Sequence, residues 1–599
     1  MFREIKEIKI SGGERGAISY LFSAVKSLSV YCLFKPNFMF KRIFTLLVFS
    51  GLFITAMSQV TSGSMTGTVK SSQGEPLVGA TITATHVPTG TVYRVQTTKG
   101  GQFDIPNMKP GGPYTVEATY VDHGKGIKSD IILQLGDQYR VDFALSQSGE
   151  ELKEVVVSSQ AANRVVKSGA STNVNNRQIT TLPSISRSIN DFTRLTPQGG
   201  NSSSFNGRDG RYNNITIDGA NFNNNFGLSS NNLPGGDAQP ISLDAIEQLT
   251  VNVSPYDVKQ GNFTGAGISA ITKSGTNTFT GSAYTFFRDQ SFNGRNVKDV
   301  KLGEQQKSKT TIYGGRIGGP IIKNKLFFFL NLENETRTYP GLNWLATRPG
   351  GPTGTNVSRT TAADLDAVSA YLQSQYGYST GAYENLGNFE SENTKVLGRI
   401  DWNISDNHKF SVRYNRVKST NDQVTNGTSA PNPRASSNRW SNNSMSYANS
   451  LYGFEDIVSS WTFDLTSKLG KRVNNQFLVT LTNIETNRTS PSSPFPFVDI
   501  RDGDIASGSD AYISFGYELF SWQNSVKNKV YTFTDNVSFS SGIHNFTAGI
   551  SYDYLYFGNS FLRYGTSYYR FNSVSDFLTN QAPTAYGLTY GYNGKTDPI

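Results

Sequence analysis

The chain has 599 residues and is 36% hydrophobic, 12% aromatic and only 17% charged, with 58 glycines, 30 tyrosines, 38 phenylalanines and one cysteine. Globular averages place about a quarter of residues in Asp, Glu, Lys and Arg, so this balance points to a β-rich extracytoplasmic protein, and the single Cys32 excludes a disulfide framework or a multi-cysteine metal site. The formal charge of +9 is concentrated at the start: residues 1–58 carry net +5 and the rest only +4, with no basic stripe, which argues against a nucleic-acid partner.

Lys41 and Arg42 precede the apolar run Ile43 to Ala56, followed by Met57 and Ser58. A charged start, a short apolar stretch and small residues at the cleavage positions predict a secretory signal within a 1–58 leader. The run falls short of the ~20 apolar residues a spanning helix needs. Residues 1–38 do not fit such a signal, so Met39 is a candidate true start.

From 59 to 148 short alternating segments are punctuated by Gly and Pro, predicting a small β-sandwich. Gly67-Thr68-Val69, Pro76 to Ala80, Thr97 to Phe103 and the Pro110 to Tyr114 turn occur in an order that resembles the carboxypeptidase regulatory-like domain. That resemblance implies a carbohydrate-binding-like fold and no peptidase. Tyr93, Phe103, Tyr114 and Tyr120 are candidates either for a sugar-stacking face or for inward-facing core aromatics.

A linker at 149–165 runs from charged residues into the β-branched stretch Val155-Val156-Val157. Such a segment suits strand addition to a partner's sheet edge, or serves as an ordinary connecting strand.

Residues 166–276 combine Asn- and Gly-rich loops with short strands. Leu182-Pro183 with Arg187, the run Ile215 to Phe222, Asp244 to Glu247, and Gly265 to Ile268 leading to Thr272 to Gly275 together resemble the plug of a TonB-dependent outer-membrane transporter. Ser254-Pro255 and the long loop after it depart from the usual plug pattern and, with the preceding sandwich, resemble the Oar-like branch. The resemblance implies that Leu152, Glu154, Val155, Val156 and Val157 form a TonB box. It further implies that the plug-loop residues Asn206, Arg208, Asp209, Arg211, Asp218, Asn221 and Asn223 meet ligand. The implied partners are TonB of the inner-membrane energy-coupling complex, a small-molecule, peptide or oligosaccharide ligand, outer-membrane lipid and, by analogy, a surface lipoprotein. The implied location is the outer membrane, with the plug inside a barrel and the sandwich in the periplasm.

From 277 onward the sequence alternates over blocks of about ten residues, as strands must when one face meets lipid and the other a polar lumen. Phe477, Val479 and Leu481 alternate with Leu478, Thr480 and Thr482; Phe410, Val412 and Tyr414 with Ser411, Arg413 and Asn415; Phe546 to Tyr556 repeats the pattern. About ten strands are expected here, the first part of an antiparallel transmembrane β-barrel. Plugged transporters use ~22 strands, so the chain reads as a fragment that ends without an aromatic final strand. Because open sheet edges are not tolerated in lipid, these 599 residues alone are expected not to transport.

Enzyme chemistry is not expected, and no cofactor is implied. Gly377-Tyr378-Ser379-Thr380-Gly381 matches the nucleophile-elbow pattern but follows a helix-like stretch, Ala362 to Gln375, where the elbow requires a strand. His86, His123, His408 and His544 show no metal-ligand spacing, and Asp209, Asp218 and Asp237 fit no calcium loop. The function expected is TonB-dependent uptake of an unidentified nutrient. The alternative is a non-transporting outer-membrane surface protein serving adhesion, secretion or envelope organisation, with carbohydrate binding by the sandwich.

Overall fold

A computed structural model describes residues 61–147, 169–184, 186–200, 204–223, 239–255, 257–303, 305–425, 427, 430–431, 439–502, 511–541 and 544–591. The signal-like leader, the 149–165 linker with Leu152 to Val157, and Asp237 lie outside the described residues.

Eight strands form the N-terminal sandwich: β1 (Gly63–Ser71), β2 (Thr81–His86), β3 (Thr91–Gln96), β4 (Gln102–Met108), β5 (Gly111–Thr119), β6 (Gly126–Leu133), β7 (Gln138–Arg140) and β8 (Phe143–Leu145). One sheet runs β4-β1-β7 with β8 also on β1; the other runs β3-β2-β5-β6. Alternate side chains turn inward, as the two-residue period of a strand requires, and Met65, Ile82, Phe103, Tyr114 and Val116 make the core. Tyr93, Phe103 and Tyr114 are buried there and Tyr120 packs against them, so these aromatics serve the core and present no stacking face.

An inner domain follows, with β9 (Ala170–Asn175), β10 (Asn214–Ile217), β11 (Ala220–Asn221), β12 (Ile246–Val253) and β13 (Gly267–Thr272) in the order β11-β10-β13-β12-β9. A six-residue helix, Asn176–Thr181, starts at β9 through a capping box: the Asn175 side chain accepts from the Gln178 N–H, and the Gln178 side chain accepts from the Asn175 N–H. Asp218 and Gly219 form the two-residue turn of the β10–β11 hairpin with φ of +44° and +82°. Left-handed values at both positions are what such a turn needs, and Asp-Gly supplies them at low cost.

Nine strands form one antiparallel sheet in strict chain order: β14 (Thr280–Asp289), β15 (Lys309–Ile322), β16 (Leu326–Tyr339), β17 (Phe389–Asn403), β18 (His408–Gln423), β19 (Tyr452–Leu469), β20 (Val473–Thr489), β21 (Ser525–Ser541) and β22 (His544–Ser560). These are the strands of that sheet among the described residues, where the alternation predicts about ten between 277 and 599. On β16 the buried face holds Phe329, Asn331, Glu333 and Glu335, while Leu330 and Leu332 are 50% and 60% exposed. The split follows the alternation read from sequence: on β20 Leu478, Thr480 and Thr482 are buried and Phe477 is exposed. A polar inner and apolar outer face is the inverse of a soluble sandwich and suits a wall in lipid. The inner domain packs on that inner face, joining Ile217, Leu249 and Val251 to Phe329, Leu397, Val417, Val458 and Ile484 of the wall in one core.

Wall strands are joined by short turns at one end (residues 323–325, 404–407 and 470–472) and by long connections at the other (290–308, 340–388, 424–451 and 490–524), all but 340–388 described only in part. The described parts of the 340–388, 424–451 and 490–524 connections fold together with Phe571 and Phe577, which follow the last wall strand. Their helix, Ala362–Tyr376, is capped at Thr361, whose hydroxyl accepts from the Asp364 N–H at 3.1 Å, and ends at Gly377 in the left-handed region. Leu365, Val368 and Leu372 fall on one helix face and meet Tyr447, Ile513 and Phe515 in a separate core.

Candidate functional site at the junction of inner domain and wall

Arg399 on β17 and Arg413 on β18 are direct cross-strand partners on the buried face. Like charges placed opposite one another oppose sheet pairing, and the inner domain supplies the compensating anion. The Asp218 carboxylate stands 3.5 Å from Arg399 and 3.4 Å from Arg413. It also accepts from the Thr272 N–H at 2.8 Å and the Thr272 hydroxyl at 2.5 Å, which fixes its aim. Arg399 donates back to the Thr272 carbonyl and hydroxyl at 3.2 and 3.0 Å and pairs with Asp401 at 2.8 Å.

A second attachment is made by the residues just before β12. Asp244 accepts from the Ser282 hydroxyl at 2.7 Å and pairs with Arg316 at 3.0 Å, both wall residues. Ser242, two residues earlier, donates to Glu333 at 2.7 Å. Glu333 also pairs with its cross-strand partner Lys395 at 2.8 Å. The Asp244-Ala245-Ile246-Glu247 motif thus holds the inner domain to the wall through Asp244, while Ile246 enters the core. Arg187, flagged after Leu182-Pro183, lies over the Phe286 ring at 3.9 Å.

The sandwich joins this junction from the short-turn end. Lys109, in the tight connection between β4 and β5, donates to Ser274 at 2.5 Å and stands 3.9 Å from Asp401. Its backbone is held by two core tyrosines: the Lys109 N–H donates to the Tyr93 hydroxyl at 3.2 Å, and the Tyr114 hydroxyl donates to the Lys109 carbonyl at 2.6 Å. Burial holds the Lys109 ammonium below the usual lysine range, with Asp401 opposing the effect. Neighbouring His86 is pushed down to about 3 by burial and by Lys109, so it is neutral at physiological pH. A cavity of about 340 Å³ remains where the three parts meet, lined by Lys109, Asp218, Lys273, Arg399, Asp401 and Arg413 among others.

The seven residues assigned to ligand contact are not brought together. Asn206, Arg208, Asp209 and Arg211 are exposed on one loop, where Asp209 accepts from the Arg211 N–H at 2.9 Å. Asp218, Asn221 and Asn223 are buried. Asn223 accepts from the Ile215 N–H at 2.7 Å and donates to Asn214 at 2.8 Å, while Asn221 accepts from the Asn223 N–H at 2.8 Å. These contacts tie down the hairpin and leave those three side chains facing protein. Sequence reading missed Arg399, Arg413, Asp401 and Lys109; the one available signal was an arginine on an inward position of an otherwise small polar strand face.

The Gly377 to Gly381 segment follows the helix C-terminus, with Tyr378 buried and stacked on Phe495 at 3.8 Å, so the strand a nucleophile elbow requires is absent from that position.

Residues 271–596, more than half of the chain, match the outer membrane beta barrel domain family, and residues 64–146 match the carboxypeptidase regulatory-like domain. The chain is similar to the TonB-dependent transporter Oar of Myxococcus xanthus, 25% identical over 389 residues that cover 61% of this chain and 34% of that protein. Among solved structures it is similar to the outer membrane transporter YddB of Escherichia coli, with 13% identity, TM-score 0.47, and 70% of this chain and 51% of that one covered. It is also similar to the siderophore receptor PirA of Acinetobacter baumannii, with 14% identity, TM-score 0.41, and 67% and 51% covered. The chain spans about a third of the length of the curated relative and about half of these solved chains.

Proposed function

Starting from a chain that belongs to the outer membrane beta barrel domain family and is an outer-membrane protein, we propose that it supplies the sandwich, plug and first barrel strands of a TonB-dependent transporter. The inner domain is the plug. The observation that carries this reading is its attachment: a small β domain seated on a polar wall face, held by two localised charge clusters at Asp218 and Asp244. Beside the apolar core it shares with the wall, its charged ties are concentrated at those two clusters and no strand ladder joins it to the wall sheet among the described residues, so a pull can free it without unzipping the wall. Ligand meets the plug from the long-connection end, near the exposed Asn206 to Arg211 loop. TonB adds a strand to the 152–157 segment and draws the plug toward the short-turn end. The similarity to the transporter Oar supports this mechanism.

The test is a pull-down of purified TonB C-terminal domain with a peptide spanning Glu150 to Gln160, against one carrying Val156→Pro, which removes a strand donor. Retention of the first and loss of the second is expected. Failure of both peptides to bind contradicts the reading.

The folded cluster of long connections favours a second reading, a non-transporting surface protein whose outward cap binds other surfaces. Deleting Glu151 to Ser158 separates the two, since only transport needs that segment.

A further inference from the structure

The linker leads into β9, the outermost strand of the plug sheet, which pairs only with β12 among the described residues. One turn of the sandwich spans that pair. Gln134 accepts from the Asn173 side chain of β9 at 2.9 Å, and the Leu135 N–H donates to the Gln248 side chain of β12 at 3.1 Å. Thr250 of β12 closes the group by donating to Asn173 at 2.6 Å. A second foot is Lys109 on Ser274 of the plug and Asp401 of the wall. A third rests on the short turns: the Pro88 carbonyl accepts from the Asn277 N–H at 2.8 Å, Asn403 donates to Thr91 at 3.0 Å, and Arg94 stands 3.9 Å from Asp406.

These contacts are polar, few and discrete, the character of an interface between domains that separate. We propose that the sandwich functions as a mechanical clamp on the plug, stapling β9 to β12 so that the plug cannot be drawn out until the sandwich has left. The linker runs from the end of β8 to the start of β9, so tension on it loads both domains at once. β9 cannot peel from β12 while the 134–135 turn bridges them. Release therefore runs in order: sandwich from the short turns, β9 from β12, then Asp218 from Arg399 and Arg413. The sandwich needs no sugar ligand for this role. The inference rests on the reading of the inner domain as a plug.

The test is amide hydrogen exchange on the full chain in lipid nanodiscs, read at residues 171–175. Gln134→Ala combined with Lys109→Met is expected to speed exchange in β9 about tenfold, the effect of losing one or two hydrogen bonds, with β2, β5 and the wall strands unchanged. Unchanged β9 exchange beside a folded sandwich overturns the clamp. Should the double variant unfold the sandwich, a Gly90→Cys, Asn324→Cys pair gives the converse test. A β-carbon at Gly90 would stand 3.3 Å from that of Asn324, just below the ~3.5 Å lower bound for a disulfide, so closing the bridge requires a small backbone shift at two positions of left-handed φ, +62° and +61°. Oxidation should slow β9 exchange and reduction restore it; no difference between the two states again overturns the clamp. Neither measurement involves TonB, so a failed peptide pull-down would count against transport alone.

Discussion

Arg399 and Arg413 face each other across adjacent wall strands, and the inner-domain carboxylate of Asp218 lies within 3.5 Å of both. Asp401 of the wall pairs with Arg399, and the inner domain supplies through Asp218 the carboxylate that reaches both arginines of this like-charge pair. Breaking a buried ion pair from one side leaves the other charge uncompensated, typically at about 3–5 kcal/mol. Asp218→Ala should therefore loosen the plug: exchange of the β10 and β13 amides rises by at least a hundredfold, while the sandwich strands keep wild-type protection. Asp218→Asn, which keeps an acceptor for the Thr272 N–H but no charge, should fall between the two.

The sandwich should lose stability in acid. His86 is 5% exposed and its ring is pushed down to about 3, against 6.5 for an ordinary histidine. Below pH 6.5 the unfolded chain takes up a proton that the folded chain refuses, so stability is full above that pH and falls as pH drops toward 3. Burial pushes Asp104 up to about 6, an effect of opposite sign. Comparing the wild type with His86→Gln cancels it. The difference in unfolding free energy between the two should shift in favour of the variant from pH 7 to pH 4, measured by denaturant titration of the sandwich signal. A pH-independent difference would contradict the buried, neutral ring.

Adjacent residues on β16 should respond to different solvents. Leu332 is on the outer face, and Leu332→Arg near the bilayer midplane should destabilise the folded protein by about 2–4 kcal/mol in lipid. Transferred to detergent with small headgroups, the penalty should shrink. Glu333→Ala, one residue on but facing inward, removes the acceptor of the Lys395, Ser242 and Tyr284 hydrogen bonds and leaves Lys395 with Glu335 at 3.6 Å. Its cost should be the same in lipid and detergent.

Ser379 is exposed in the turn after a helix. Ser379→Ala should alter stability by less than about 0.5 kcal/mol, as surface changes do, and a fluorophosphonate probe should label neither protein.

Much of the fold was readable because strand period and turn chemistry are local. The alternation at Phe477 to Thr482 assigns faces without knowledge of neighbours, and Asp218-Gly219 marks a hairpin on its own. The helix from Ala362 was visible for the same reason, and the structure extends it by one residue to Tyr376. The Asp218 attachment was not readable, because Asp218, Arg399 and Arg413 belong together only through strand register and the seating of the inner domain on the wall, which place residues nearly two hundred positions apart in contact. The burial of Asn221 and Asn223 was not legible for a related reason: a polar Asn run looks exposed, yet these side chains satisfy buried backbone and one another. Lys109 directly precedes the Pro110 to Tyr114 turn, and nothing local announces its partner on the wall.

The most direct test of the account is single-molecule pulling on the full-length protein in a lipid bilayer, through a handle attached at Ser158→Cys. The account predicts that the first release frees the plug while the wall strands stay inserted, that Asp218→Ala and Asp244→Ala each lower the force of that event, and that refolding restores it. A first event that extracts wall strands, or a force unchanged by both substitutions, would contradict it.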